Sequence, residues 1–128
     1  MLPKTEKSEV LITAELIEAF AEVSGDSNPI HLDNEYAKTT MFRARIAHGF
    51  LTASFISAIL GTKFPGSIYL SQSLQFKAPV KIGDIVQTVV QAIKLDNRKL
   101  TLSTQSFVGE ILVLDGEALL LLPKEIKQ

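Results

Sequence analysis

The sequence contains no cysteine. That excludes a disulfide framework, a thiol nucleophile and any thiolate-held zinc or iron–sulfur centre, and it fits a reducing compartment. An excess of either charge is also missing: Lys+Arg is 13, Asp+Glu is 14, and the formal net charge is −1. No basic surplus therefore points to nucleic acid or to a membrane surface. Long apolar runs are lacking too. The uncharged, helix-like stretch from Ala47 to Gly61 falls short of the roughly 20 residues a bilayer span needs. The N-terminal residues are charged and carry no apolar core of a signal peptide, so a cytoplasmic location is expected. Gly25, Gly61, Gly66 and Gly83 stand apart from one another, so no glycine-rich loop is present to cradle a phosphate. Internal repeats and low-complexity segments are absent.

What is present suits a single globular domain over residues 1–128. The chain has 128 residues, 46% of them hydrophobic and 21% charged, enough for a core without covalent staples. Its first half reads as helical. Ser8 to Ile12 suits a short strand, and Thr13 suits a helix N-cap. Leu16, Ile17, Phe20 and Val23 follow at helical spacing, and Gly25 offers a stop. Asp33 suits the cap of a short helix through Tyr36 and Ala37. From His48 to Leu60 there is hardly a polar face, which predicts a buried helix closed by Gly61. Past Pro65-Gly66 the period changes to two. Ile68, Leu70, Leu74, Phe76 and Ala78 alternate with polar neighbours, predicting a strand with those residues on the core face. Ile85 to Leu95, Leu100 to Val108 and Ile111 to Leu122 read as three more strands, with a bulge suggested at Gly116. Short turns between consecutive strands imply an antiparallel meander. Helices first and strands after argue for an α+β fold in which a curled antiparallel sheet wraps the 48–60 helix.

Few residues are equipped for chemistry. There are two histidines, His31 and His48. The densest polar cluster is Ser24-Gly25-Asp26-Ser27-Asn28-Pro29-Ile30-His31, a turn-rich loop that sets a carboxylate five positions from an imidazole. Asp and His are the pair best suited to moving protons near neutral pH. On spacing alone, local turn bonding by Asp26 or Asn28 is the stronger reading. A metal site is the weaker one: His31, Asp33 and His48 offer ligands, but nothing fixes a tetrahedral set. Ile46-Ala47-His48-Gly49 opens the apolar helix, where free N–H groups meet the positive end of the helix dipole and Gly49 leaves room for a developing oxyanion. The alternative is that Gly49 only permits close packing. His48 reads as a core or capping residue. The hydroxyls of Ser54 and Ser57 can back-bond to their own helix.

The segment from Phe20 to His31, followed by Ala37, resembles the hydratase-2 motif of the MaoC-like (R)-specific enoyl-CoA hydratases. Ile46-Ala47-His48-Gly49 and Ser67 to Phe76 also resemble that family, and the likeness runs from about Thr13 to Pro123. It is nearest to the short single-domain bacterial type that supplies polyhydroxyalkanoate synthesis. The resemblance reverses the preference for a purely structural loop. It implies a hot-dog fold and a homodimer joined at sheet edges, which would hide an edge strand. It implies that Asp26 and His31 hold one catalytic water, with Asp26 taking its proton and His31 positioning it and exchanging a proton with C2. The reaction implied is reversible syn hydration of trans-2-enoyl-CoA to (R)-3-hydroxyacyl-CoA. Gly49 would stabilise the enolate-like oxygen, Asn28 would orient the loop, and Ser57 would support Asp26. Leu60 and Leu119 would line the acyl pocket. No metal and no separate cofactor is implied, because coenzyme A is part of the substrate. Arg43, Arg45, Lys63 and Lys77 are candidates for its phosphates, though each also reads as a solvated charge. Arg45 occupies a place where many relatives carry proline, which makes the local loop geometry an open question.

Three other readings remain at this level. A 3-hydroxyacyl dehydratase acting on an acyl-carrier-protein thioester would use the same residues in reverse. A hot-dog thioesterase would release free thiol. A non-catalytic acyl-CoA-binding module would bind without turnover.

Overall fold

A computed structural model describes residues 4–124. In chain order its elements are β1 (Thr5–Leu11), α1 (Ala14–Ser24), α2 (Pro29–Leu32), α3 (Asn34–Lys38), α4 (Gly49–Lys63), β2 (Ile68–Gln72), β3 (Gln75–Phe76), β4 (Ile85–Asp96), β5 (Lys99–Val108) and β6 (Ile111–Leu121). The strands form one antiparallel sheet in the order β1-β4-β5-β6-β2, with β3 also paired to β6. This is the expected α+β hot-dog arrangement, a sheet curled around the central α4.

Alternation fixes which side of the sheet faces α4. Val86, Thr88, Val90 and Ala92 of β4 and Leu100, Leu102, Thr104 and Ser106 of β5 are buried, while the residues between them are not. Leu51, Phe55, Ile56, Ile59 and Leu60 of α4 close on that face. Two of the buried hydroxyls satisfy each other, Thr88 Oγ1 and Ser106 Oγ lying 3.0 Å apart, so burying them leaves no orphaned polar group.

Several expectations hold at the residue level. The Thr13 hydroxyl accepts from the Leu16 amide at 3.1 Å and caps α1. Gly25 ends that helix at φ 81°, a left-handed conformation glycine takes without penalty. Asp33 caps α3. The β4–β5–β6 meander matches the three predicted strands.

Other expectations need correction. The strand expected over residues 68–78 is split at Ser73-Leu74 and does not pair with β4. It lies along β6 at the far edge, because residues 77–84 carry the chain across the start of α4, where the Ala47 amide bonds the Val80 carbonyl at 2.7 Å. With no strand beyond it, Ile68, Leu70 and Phe76 are exposed rather than in the core. Gly116 is not a bulge: it pairs in register with Thr104. It is glycine because a Cβ there would collide with the Ser73 carbonyl oxygen. Gly61 lies inside α4. The stop is Pro65, which pushes Phe64 out of helical geometry to φ −126°, ψ 65°. Finally, α4 is not buried all round. Phe50, Ser54, Ser57 and Ala58 form an exposed face, with Phe50 63% accessible.

Candidate active site

The loop after α1 is built from short-range polar bonds. Ser24 Oγ accepts from the Asp26 amide at 3.1 Å, Asp26 Oδ1 from the Asn28 amide at 3.2 Å, and Asn28 Oδ1 from the Ile30 amide at 3.1 Å. Asn28 thereby caps α2, and Pro29 at its first position fixes φ for the helix. The turn reading of Asp26 and Asn28 is therefore correct, and it does not compete with a chemical role. The single turn of α2 swings His31 inward, away from solvent.

Segment 45–48 lies beneath that loop. His31 Nδ1 is 2.8 Å from the Ile46 carbonyl oxygen. A carbonyl only accepts, so Nδ1 carries the proton and Nε2 keeps its lone pair. Burial lowers the His31 pKa from its ordinary 6.5; the bond to Ile46 works against this, His48 adds to the lowering and Asp26 opposes it. The balance favours the neutral ring. His48 is 2% exposed. Its Nε2 lies 3.0 Å from the Asp26 carbonyl oxygen and its ring stacks on His31, with centroids 3.9 Å apart and planes at 27°.

One carboxylate oxygen of Asp26 and one nitrogen of each histidine lie within 4.8 Å of one another. That is a span a single water bridges with ordinary hydrogen bonds. A metal fits poorly. Lone pairs of two stacked rings run side by side rather than converge, and one nitrogen of each ring faces a carbonyl.

His31 and Gly49 line one cleft of about 510 Å³, together with Phe42, Phe50, Phe76 and Val80. Gly49 is the first residue of α4, so its N–H points from the positive end of the helix. The packing reading of Gly49 also holds, since a Cβ would lie 2.7 Å from the Phe76 ring.

The remaining sequence candidates separate. Ser57 forms no hydrogen bond with Asp26. It lines a second cleft of about 530 Å³, with Phe20, Phe50, Leu70 and Leu74. Leu60 is fully buried in the core, and Leu119 sits half-buried on β6 opposite Ser71 and Thr101. Neither lines either cleft, because one points under the sheet and the other lies within it. Arg45 is no phosphate ligand: it is 8% exposed, its Nε donates to the His31 carbonyl at 2.7 Å, and its Nη2 lies 3.7 Å from Glu18. Lys63 lies 4.0 Å from Glu6, whereas Lys77 lines the first cleft. His48 caps nothing with its side chain. Sequence reading missed the parts played by Arg45 and His48. Their only signal was a charged or titratable residue inside an otherwise apolar stretch.

A curled sheet around one helix, with a histidine sharing a cleft with that helix's N-terminus and an aspartate within 4.8 Å of the histidine, defines a hot-dog protein of the hydratase and dehydratase type. The family model described as "MaoC like domain" matches residues 3–111, and the chain belongs to that family. It is 48% identical over 118 residues to a 3-hydroxybutyryl-CoA dehydratase of Methylorubrum extorquens, covering 89% of this chain and 75% of that one. It is 48% identical over 108 residues to an (R)-specific enoyl-CoA hydratase of Rhodospirillum rubrum, covering 81% and 75%. Among solved structures, the (R)-hydratase of Aeromonas caviae involved in PHA biosynthesis superposes with a TM-score of 0.92 at 41% identity, over 96% of this chain and 97% of that one.

Proposed function

We propose that this protein adds water across the double bond of a trans-2-enoyl-CoA to give the (R)-3-hydroxyacyl-CoA, reversibly. The observation that carries the reading is the Asp26–His31 gap of water-bridging width beside a cleft that begins at Gly49. A water held there gives up a proton to the pair as its oxygen bonds to C3. The C2=C3 electrons move onto the thioester carbonyl, and the resulting enolate oxygen is met by the Gly49 N–H at the positive end of α4. The pair then returns the proton to C2 from the same side. One water accounts for every added atom, and syn addition follows from having both groups on one face. His31, neutral with a free Nε2, holds the water as acceptor, and Asn28 sets the loop by capping α2. No cofactor enters, because the thioester itself acidifies C2.

Loss of the conjugated enoyl absorbance of crotonyl-CoA, with the (R)-3-hydroxy product, tests this. An inert wild-type protein toward both CoA and acyl-carrier-protein substrates would sink it. Faster turnover with the carrier protein would assign the dehydratase instead, and free thiol would assign a thioesterase.

The functional unit in this reading is a homodimer. The two sheet edges differ. β1 carries Glu6, Lys7 and Glu9, charges that discourage pairing, whereas β2 carries none and exposes Ile68, Tyr69 and Leu70. Pairing of β2 with its copy would extend the sheet and bring the exposed face of α4 toward cover. A cytoplasmic location belongs to the same proposal. None of the described helices is long and apolar enough to cross a membrane.

A further inference from the structure

We propose that His48 is a positioning residue: its Nε2–H holds the Asp26 carbonyl while its ring face holds the His31 imidazole, and together these set the gap the catalytic water fills. The proposal rests on the hydratase reading of Asp26 and His31.

Four facts about His48 point this way. It touches both members of the pair, through a 3.0 Å bond to one and a 3.9 Å stack on the other. Phe20, whose ring centroid is 4.9 Å away, leans on it at 58°. Its place in the fold accounts for neither contact. It sits at the N-cap of α4, yet its side chain makes no capping bond. Its Nδ1 is buried with no hydrogen-bond partner among the described residues, an unfavourable arrangement for a residue kept only to fill space. An unpartnered acceptor is tolerated where the other nitrogen must donate.

The Asp26 peptide shows why such a hold matters. Gly25 before it is left-handed, and the side-chain bonds from Ser24 to Asn28 are all local and exposed. The His48 bond, spanning 22 positions, ties that turn to the framework. Arg45 and Ile46 hold His31 from the same segment, through its carbonyl and its Nδ1. Segment 45–48 thus fixes both reacting groups, and an error of 1 Å between such groups costs about 100-fold in rate.

The test compares His48→Phe, which keeps a ring and loses the donor, with His48→Gln, whose amide restores a donor at similar reach. Full-length protein is assayed with crotonyl-CoA, melting temperatures are taken, and imidazole tautomers are read by long-range ¹H–¹⁵N NMR of the wild type. We expect His48 as the Nε2–H tautomer and His31 as Nδ1–H. His48→Phe should lower kcat about 10- to 100-fold with KM within about twofold, and His48→Gln should recover part of kcat. Wild-type kcat in His48→Phe, no recovery in a folded His48→Gln, or an Nδ1–H tautomer at His48 each overturns the proposal. If both variants fail to fold, the wild-type tautomer decides. If the wild type turns over no enoyl thioester, the hydratase reading fails by itself. The clamp is then judged by His31 ring resonances in His48→Phe: shifted supports it, unchanged overturns it.

Discussion

The loop from Gly25 to Leu32 and the sheet beneath α4 are held together by different forces. The loop is exposed from Gly25 to Pro29 and rests on side-chain oxygens that accept nearby backbone N–H groups, with bonds from Arg45, Ile46 and His48 behind it. The sheet and helix rest on apolar burial, with Ile56, Leu60, Leu102 and Leu114 almost wholly removed from water. In the proposed reading chemistry sits on the first and stability on the second, and segment 45–48 is where they meet. Change at the reacting groups of the loop should therefore alter rate far more than stability, and change in the core should do the opposite.

Asp26→Asn should break activity hardest. It keeps an oxygen able to accept the Asn28 amide but removes the base. A loss of about 10²- to 10⁴-fold in kcat is expected, with an unchanged melting curve. A fall in melting temperature of many degrees would mean that the loop also carries stability.

Leu60→Ala should do the reverse. Truncating a fully buried leucine costs about 2–5 kcal/mol. Chemical denaturation should show that loss. Assays on acyl chains of two lengths should show an unchanged preference per folded molecule. A changed preference would return Leu60 to the acyl pocket.

The comparison sharpens with pH. The folded pKa of His31 lies below its ordinary 6.5, so the fold favours the neutral ring. That stabilising contribution is complete above pH 6.5 and drains away as pH falls through the folded value. The acid limb of kcat/KM that belongs to His31 should likewise lie below pH 6.5. His31→Gln should flatten the stability loss on acidification while abolishing that limb.

Asn28→Ala is the smallest change. Losing the α2 cap should cost about 1 kcal/mol, read in thermal melts, with a modest drop in kcat as α2 loosens under His31.

The two regions also differ in how far the sequence discloses them. The meander was legible because Val86 to Ala92 and Leu100 to Ser106 alternate, with Asn97 and Gly109 marking the turns. The Asp–His loop was legible from its motif. Sheet order was not, because the alternation of Ile68 to Ala78 says that a strand forms and says nothing of its neighbour. That choice depends on the crossover of residues 77–84 past Ala47. Gly61 misled because glycine tolerated on an exposed helix face looks the same as a terminator. Arg45 and His48 were illegible as supports. Their partners are carbonyls of His31 and Asp26, and backbone atoms leave no trace in residue types.

The Phe76 ring fills the space a side chain at position 49 would take, and it also lines the cleft. The opening is thus walled by a removable part. Phe76 is half exposed on a two-residue strand at the rim, so replacing it would unpack little of the interior. In the proposed reading, a substitution at Phe76 would reshape the cleft while the N-terminus of α4, and the glycine that opens it, stay as they are.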